Sequence, residues 1–385
     1  TSHIISLSPD NIFGSGLFNV AILYISQYVA YILVYIVNSY FVDKSNRVSF
    51  LRVGIFVNAC FLVAIVFWGE VIAQWIVLAG AICGISNAFY YSSYNVMKNE
   101  LVDRIYMKKY SIISTVITNS INIIVPTILG FVIDKSSYST IAIYIVAIII
   151  VQFVISFFVK AKKPEDSKLE IGKYLKYLKA NPDAWHKVKY TYYNGMLAGI
   201  KTTYKIVIII LTIFAFKTNF SLGIFSSVFS LITIALLLLY RKIEHKPNVK
   251  KLAIYLTIGG LPFIGCLIFN FWSSKSMFII LNCVLTIAIY FSDYFGDAER
   301  DAIIKNLGLF EFIAEHGVII ETIKYIVSIC IYISFILISL TESIVVFKIV
   351  LTIMIAVCPF KFYIMYKQRV IRKKFEAENG TCEQY

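Results

Sequence analysis

Lys160-Ala-Lys-Lys-Pro-Glu-Asp-Ser-Lys-Leu-Glu-Ile-Gly-Lys-Tyr-Leu-Lys-Tyr-Leu-Lys-Ala-Asn-Pro-Asp-Ala-Trp-His-Lys-Val-Lys189 is a polar, lysine-rich stretch set between two long blocks of apolar sequence. Its surroundings decide how it is read. Of the 385 residues, 59% are hydrophobic and only 15% charged, with a mean hydropathy of +0.78. A soluble domain carries about 25% charged residues, so this chain lacks the polar groups needed to cover a globule in water. The direct reading is an all-α, polytopic membrane protein, with Lys160–Lys189 as an aqueous segment joining two blocks of spans.

A helix needs about 20 mostly apolar residues to cross ~30 Å of hydrocarbon. That rule gives eleven spans: 14–42, 50–69, 71–97, 109–133 and 139–160 before the basic stretch, then 188–216, 221–241, 250–271, 276–295, 314–339 and 343–365. The expected division is an N-terminal bundle (1–160), a linker (161–187), a C-terminal bundle (188–367) and a tail (368–385). Alternate loops then carry almost all the cations. Lys44, Arg47, Arg52, Lys98, Arg104, Lys108 and Lys109 lie on the linker's side, with Arg241, Lys242, Lys246, Lys250, Lys251, Arg300, Lys305, Lys361 and the Lys367–Lys374 cluster. Lys135, Lys217 and Lys275 lie on the other. Cytoplasmic loops are enriched in Lys and Arg. The linker and C-terminus are therefore expected in the cytoplasm and Thr1 outside, in a multi-pass protein of the cell membrane. The same placement accounts for the net charge of +14 without nucleic acid: basic loops fix topology and meet the anionic inner leaflet.

Inside the linker, Ile171, Tyr174, Leu175, Tyr177 and Leu178 share a helical face with Lys173, Lys176 and Lys179 off it. That pattern predicts a short amphipathic helix lying on the inner leaflet. Asn181-Pro182-Asp183 then supplies a cap, a proline at the first helical position and a first-turn acid. Trp185 suits the interface.

The loop after the first span reads Ser39-Tyr-Phe-Val-Asp43-Lys44-Ser-Asn46-Arg47-Val48-Ser-Phe-Leu51. It resembles the G-x-L-a-D-[RK]-x-G-[RK]-[RK]-x-x-L signature between the second and third helices of the major facilitator superfamily. Asp43, Lys44, Arg47 and Leu51 match, whereas Ser39 and Asn46 replace glycines and Val48 replaces a basic residue. On that register Pro126-x-x-x-Gly130 falls in the family's Gly/Pro-rich fifth helix, and the basic linker falls where the family joins its halves. Six helices plus six, with both termini cytoplasmic, fits eleven spans and Thr1 outside. Either a first helix lies upstream of Thr1, or the N-terminal half is open where it would pack. The resemblance implies two pseudo-symmetric bundles that rock about a midplane cavity to carry a small solute. It also implies a cytoplasmic gate at Asp43 and Arg47, residues that topology alone would equally explain.

Ionisable groups inside spans cost about 2.5–3.5 kcal/mol on insertion scales and call for a reason. Lys201 and Lys205 sit one turn apart near the middle of the sixth span, placed to form a cationic wall for an anionic or amphipathic substrate, or else to snorkel. Glu321 and Lys324 are spaced to neutralise each other on the tenth, and the carboxylate could also carry a coupling proton. Lys348 reads as snorkelling. Polar stripes at helical spacing, with Tyr31 and Tyr35 on the first span, Asn87, Tyr90 and Tyr94 on the third, and Asn119 and Asn122 on the fourth, are candidate substrate contacts. With 27 tyrosines in the chain, helix packing explains such stripes as readily. Gly80-x-x-x-Gly84 reads as close helix packing.

The seven cysteines and four histidines are isolated, so no metal site, disulfide framework or cofactor is expected. No G-x-x-x-x-G-K-[ST] is present, which excludes a P-loop ATPase. An enzyme remains the alternative through Asp293, Asp297 and Asp301, which share one helical face. They resemble the aspartate-rich, Mg²⁺-diphosphate-binding motif of intramembrane prenyltransferases. Those enzymes use two such motifs and fewer helices, and no second motif exists here. A transporter that is not an enzyme, working as a monomer on a small molecule, is the expectation.

Overall fold

The computed structural model describes residues 15–42, 47–102, 138–159, 169–216, 248–272, 276–288, 312–341 and 343–378, with a few isolated positions between. Among these residues there are helices and no strand. The first group comprises α1 (Leu17–Val42), α2 (Arg47–Gln74), α3 (Ile76–Leu101) and α4 (Tyr138–Ser156). The second comprises α5 (Ile171–Ala180), α6 (Pro182–Phe216), α7 (Asn248–Phe271), α8 (Ser276–Ala288), α9 (Ile313–Thr341), α10 (Ile344–Ala356) and α11 (Cys358–Glu378). Helices follow because a segment in hydrocarbon must satisfy every backbone donor and acceptor within itself.

Among the described residues, six helical stretches are long and apolar enough to cross a membrane, the last running through α10 into α11, and they coincide with the first, second, third, eighth, tenth and eleventh expected spans. The expected spans at 109–133 and 221–241, and the Pro126–Gly130 motif, lie outside the described residues. Outer helix faces are apolar and open: Leu33, Ile148, Phe158, Leu340 and Phe271 are all largely exposed. Water would penalise such a surface, whereas lipid tails would not.

In the first group α3 is central, packing on α1 and α2, and α4 leans on α2. In the second, α6 packs on α9 and α11, and α7 on α10 and α11. The groups meet where α9 packs against α1. Close approach depends on glycine. A Cβ on Gly80 would collide with Ser26 and the Leu23 carbonyl of α1, and one on Gly84 with the Gln27 carbonyl. The same device, not singled out in the sequence, recurs on α6: Gly195 faces Ile320 of α9, and Gly199 faces the Lys324 carbonyl. Ser328 on α9 donates to the Gly199 carbonyl at 2.9 Å.

The linker helix forms where expected, as α5, but its apolar face lies on protein rather than turning wholly to the leaflet. Tyr174 and Leu178 are buried against Val188 and Tyr192 of α6, Phe312, and Ile320 of α9. Leu175 stays exposed. The tyrosine hydroxyl explains the difference, because it has polar partners waiting below: Tyr192 at 3.0 Å and His316 Nδ1 at 2.8 Å. At the helix entry, the Glu170 amide donates to a Glu315 carboxylate oxygen at 2.9 Å. Leu169 joins Tyr31, Tyr35, Ala88 and Val318, so the linker touches both groups.

The last expected span is broken. Ser343 caps α10 by accepting from the Val346 amide, and α10 ends at Ala356. Pro359, in the first turn of α11, offers no amide to the preceding turn. Beyond the break α11 runs to Glu378, past the expected start of the tail at 368. Gln368 and Arg369 are buried there, the former donating to the Tyr190 carbonyl at 3.3 Å and the latter to the Tyr255 hydroxyl at 3.4 Å.

Candidate functional site

Among the described residues, two places hold the polar groups that the sequence singles out inside the apolar bundle. The first is the seam between α1 and α9. Tyrosines recur along α1 every three to four residues and therefore line one face. Tyr24 stacks on Tyr332 at 5.2 Å, Tyr28 meets Tyr325 at 4.8 Å, and Tyr31 meets Tyr325 at 4.3 Å and stacks on Tyr35 at 5.2 Å. Beside them Lys324 and Glu321 form an ion pair at 2.7 Å. The ammonium also lies 4.4 Å from the centre of the Tyr325 ring, a cation–π contact. Four of the expected site residues, Tyr31, Tyr35, Glu321 and Lys324, thus share one seam. Tyr35 accepts from Asn95 at 3.4 Å, and the buried Tyr31 hydroxyl has no hydrogen-bond partner among the described residues.

Other expected residues lie elsewhere. Tyr90 stacks on Tyr94 at 5.9 Å, and both pack with Val48, Leu51, Ile55 and Met97 toward α2. Tyr94 shares a hydrogen bond with the Tyr110 hydroxyl at 2.9 Å. Asn87 is half-buried on α3. Arg47 is buried at the start of α2. Nearby, Arg52 donates to the Ser156 carbonyl and lies over the Phe157 ring, 4.4 Å from its centre. Asp43, Asn119, Asn122, Asp293, Asp297 and Asp301 fall outside the described residues, as does the side chain of Lys205.

The second place is a small cavity of about 20 Å³ where α6, α8 and the start of α11 converge, lined by Lys201, Tyr204, Ala288, Cys358, Lys361 and Phe362 among others. Lys201 is the expected cationic residue. Lys361 is the residue that sequence reasoning missed, because its nearness to the inner end of the last span assigned it to the loop cations. Pro359 was the available signal: a proline inside an apolar run announces a break, and a lysine two residues on then sits in a first turn. Tyr204 donates to the Met354 carbonyl at the end of α10, filling an acceptor that the break releases. Among the described residues no group of three or more His, Cys, Asp or Glu could hold a metal ion.

Long apolar helices with open outer faces and a tyrosine seam between two groups define a polytopic helical membrane protein. The sequence model of the Major Facilitator Superfamily matches residues 2–294, and the chain belongs to that family. It is 25% identical over 362 residues to the uncharacterised protein YqgE of Bacillus subtilis (strain 168), covering 89% of this chain and 79% of that one. In fold it is similar to FucP, a transporter of this superfamily, in the outward conformation, with TM-score 0.59, 16% identity, and 94% and 89% of the two chains covered. It is also similar to a bacterial homologue of the iron transporter ferroportin in the outward-facing state, with TM-score 0.60, 12% identity, and 98% and 96% covered. The protein is therefore a membrane transporter and not an enzyme, and the prenyltransferase reading finds no support in family or fold.

Proposed function

We propose that this chain is a secondary active transporter that moves a small anionic or amphipathic solute by alternating access, coupled to protons. The two units are residues 1–160 and 188–367, joined by a cytoplasmic linker, and the protein acts as a monomer in the cell membrane. Substrate meets Lys201 and Lys205, with Tyr31, Tyr35, Asn87, Tyr90, Tyr94, Asn119 and Asn122 supplying polar contacts as the cavity opens. Asp43 and Arg47 belong to the cytoplasmic gate.

The observation that carries this reading is the Glu321–Lys324 pair at the α1–α9 seam. A charged pair at this depth is expensive, and hydrophobic replacements of similar volume are often as stable. Placed where the two groups must part for the path to open, it can exchange internal neutralisation for a proton. Glu321 is the proton carrier, and Lys324 holds its charge when the proton leaves.

Proteoliposome uptake tests this, with and without an inward-acidic pH gradient, using organic anions, sugars, peptides and cationic amphiphiles. Gradient-driven accumulation of an anionic or amphipathic solute is expected. Glu321→Gln should abolish the response to the gradient while leaving exchange of internal for external solute. A gradient response that survives in Glu321→Gln overturns the coupling role. Accumulation of neutral sugars alone overturns the substrate class.

A further inference from the structure

The linker helix is fastened to the second group, while the residue just ahead of it reaches the first. Tyr174 and Leu178 of α5 are buried on Val188 and Tyr192 of α6 and Ile320 of α9, and α6 and α9 pack on each other. Hydrogen bonds tie α5 to the same two helices. The Tyr174 hydroxyl pairs with Tyr192 and with His316 Nδ1, and His316 Nε2 lies 3.1 Å from Thr191 Oγ1. The Thr191 hydroxyl already donates to the Val188 carbonyl at 2.6 Å, so it accepts from Nε2–H of the neutral ring. Nδ1 then accepts from Tyr174. These links all run within one group, so α5 travels with α6 and α9.

Leu169 crosses over. It is 6% exposed and shares one buried cluster with Tyr31 and Tyr35 of α1, Ala88 of α3 and Val318 of α9. Ring contacts between α1 and α9 run from Tyr24–Tyr332 to Tyr31–Tyr325, and the cluster of Tyr35, Leu169 and Val318 continues that row. The peptide that carries the leucine is pinned as well. Its amide, the N–H of Glu170, donates to Glu315 Oε1 at 2.9 Å. Glu315 is buried at the start of α9, and its second oxygen has no hydrogen-bond partner among the described residues. A buried carboxylate is costly unless it is hydrogen-bonded, and here the bond goes to the one peptide that sets where Leu169 lies.

We infer that Leu169 is a hook by which the linker, anchored on the second group, holds the first group closed at the linker end of the seam, and that Glu315 is the positioning residue that aims it. The inference rests on the alternating-access reading and adds to it the element that weights one state over the other. Contacts of α5 with α6 and α9 are present in both states and cancel. The contact of Leu169 with α1 exists only while that end is shut, so it alone shifts the balance.

The test measures distances across both ends of the full chain in nanodiscs by pulsed electron spin resonance. Labels are carried on ketone-bearing side chains, which leave the native cysteines in place. One pair, at Phe41 and Asp183, spans the groups at the linker end, and the other, at Trp75 and Trp272, spans the opposite end; all four positions are exposed. Leu169→Ala should shift the populations about tenfold toward the state open at the linker end. The first distance then lengthens and the second shortens, and Leu169→Met, which keeps the apolar bulk, stays close to the wild type. Glu315→Leu should act in the same direction, and combining it with Leu169→Ala should add nothing beyond the larger single effect. Additive effects would overturn the positioning role of Glu315. Lengthening at the linker end with no shortening opposite is local loosening and overturns the hook. Distances that respond to Tyr31→Ala with Tyr325→Ala but not to Leu169→Ala overturn the hook and spare alternating access, whereas distances that respond to neither overturn both. Should Glu315→Leu fail to fold, Leu169→Ala decides the hook by itself.

Discussion

A methyl group added to Gly84 would land on the Gln27 carbonyl of α1, and neither backbone can retreat without unwinding a turn. Gly84→Ala should therefore cost about 1–3 kcal/mol, the usual range for overpacking. Gly260→Ala, where nothing lies within 4 Å, should be neutral or stabilise by about 0.5–1 kcal/mol. Unfolding in detergent compares the two, and equal losses would show that the glycine contact does not fix α1 on α3. Tyr174 supports a second residue-level prediction. Burial raises its phenol above the ordinary value of 10.0, helped by the neighbouring Tyr192. Above about pH 10 the unfolded chain releases this proton and the folded chain keeps it, so folded stability falls with rising pH by about 1.4 kcal/mol per unit. Below that pH the contribution is constant. Tyr174→Phe should remove this alkaline loss, at a cost of about 1–3 kcal/mol at neutral pH for the polar groups left buried. Matched unfolding curves at pH 8 and pH 11 check both signs. Of these residues, sequence made Gly80 and Gly84 legible through their spacing, and Gly195 and Gly199 carry the same spacing unnoticed. The Tyr174–His316 contact had no sequence signal, since its partners stand 142 residues apart.

Among the elements, α5 repeats the lesson at larger scale. Amphipathic periodicity marks the helix and its apolar face, but not what covers that face, because lipid and protein both reward burial of Leu and Tyr. Here Tyr174, Leu178 and Leu169 dock on α6, α9 and the α1 cluster. Leu178→Asp should undock α5, and hydrogen exchange at amides 171–180 should rise toward unprotected rates while α1 and α3 stay protected. Unchanged protection would mean that the hydrogen bonds at Tyr174 and Glu170 suffice without the apolar contact. The break between α10 and α11 was similarly half legible. Hydropathy carries one span across 343–365, and Pro359 alone marks the interruption.

For the molecule as a whole, composition and charge placement were enough to reach an all-helical membrane protein, and the loop signature reached the family. Which polar stripes meet across the bundle was not legible. Tyr31 and Tyr94 stand in similar stripes, yet one faces α9 and the other α2. Rocking of the groups makes a measurable prediction. Trp75 and Trp272 are exposed at helix ends that the expected topology places together on the side opposite the linker. Spin labels there should report a distance that shortens when Tyr31→Ala and Tyr325→Ala loosen the seam. A distribution unmoved by the pair of substitutions would mean that the groups do not pivot about α1 and α9.

The two faces of α1 have different mechanical characters. Toward α3 it meets glycines, backbone on backbone, so any sliding drives atoms into one another. Toward α9 it meets flat rings, stacked or tilted. Rings can glide by an ångström or two while keeping most of their contact. α1 is thus bolted on one side and lubricated on the other, and the plane of slip in this molecule runs along a row of tyrosine faces. A substitution that roughens that plane should slow the exchange between states without changing which state is preferred.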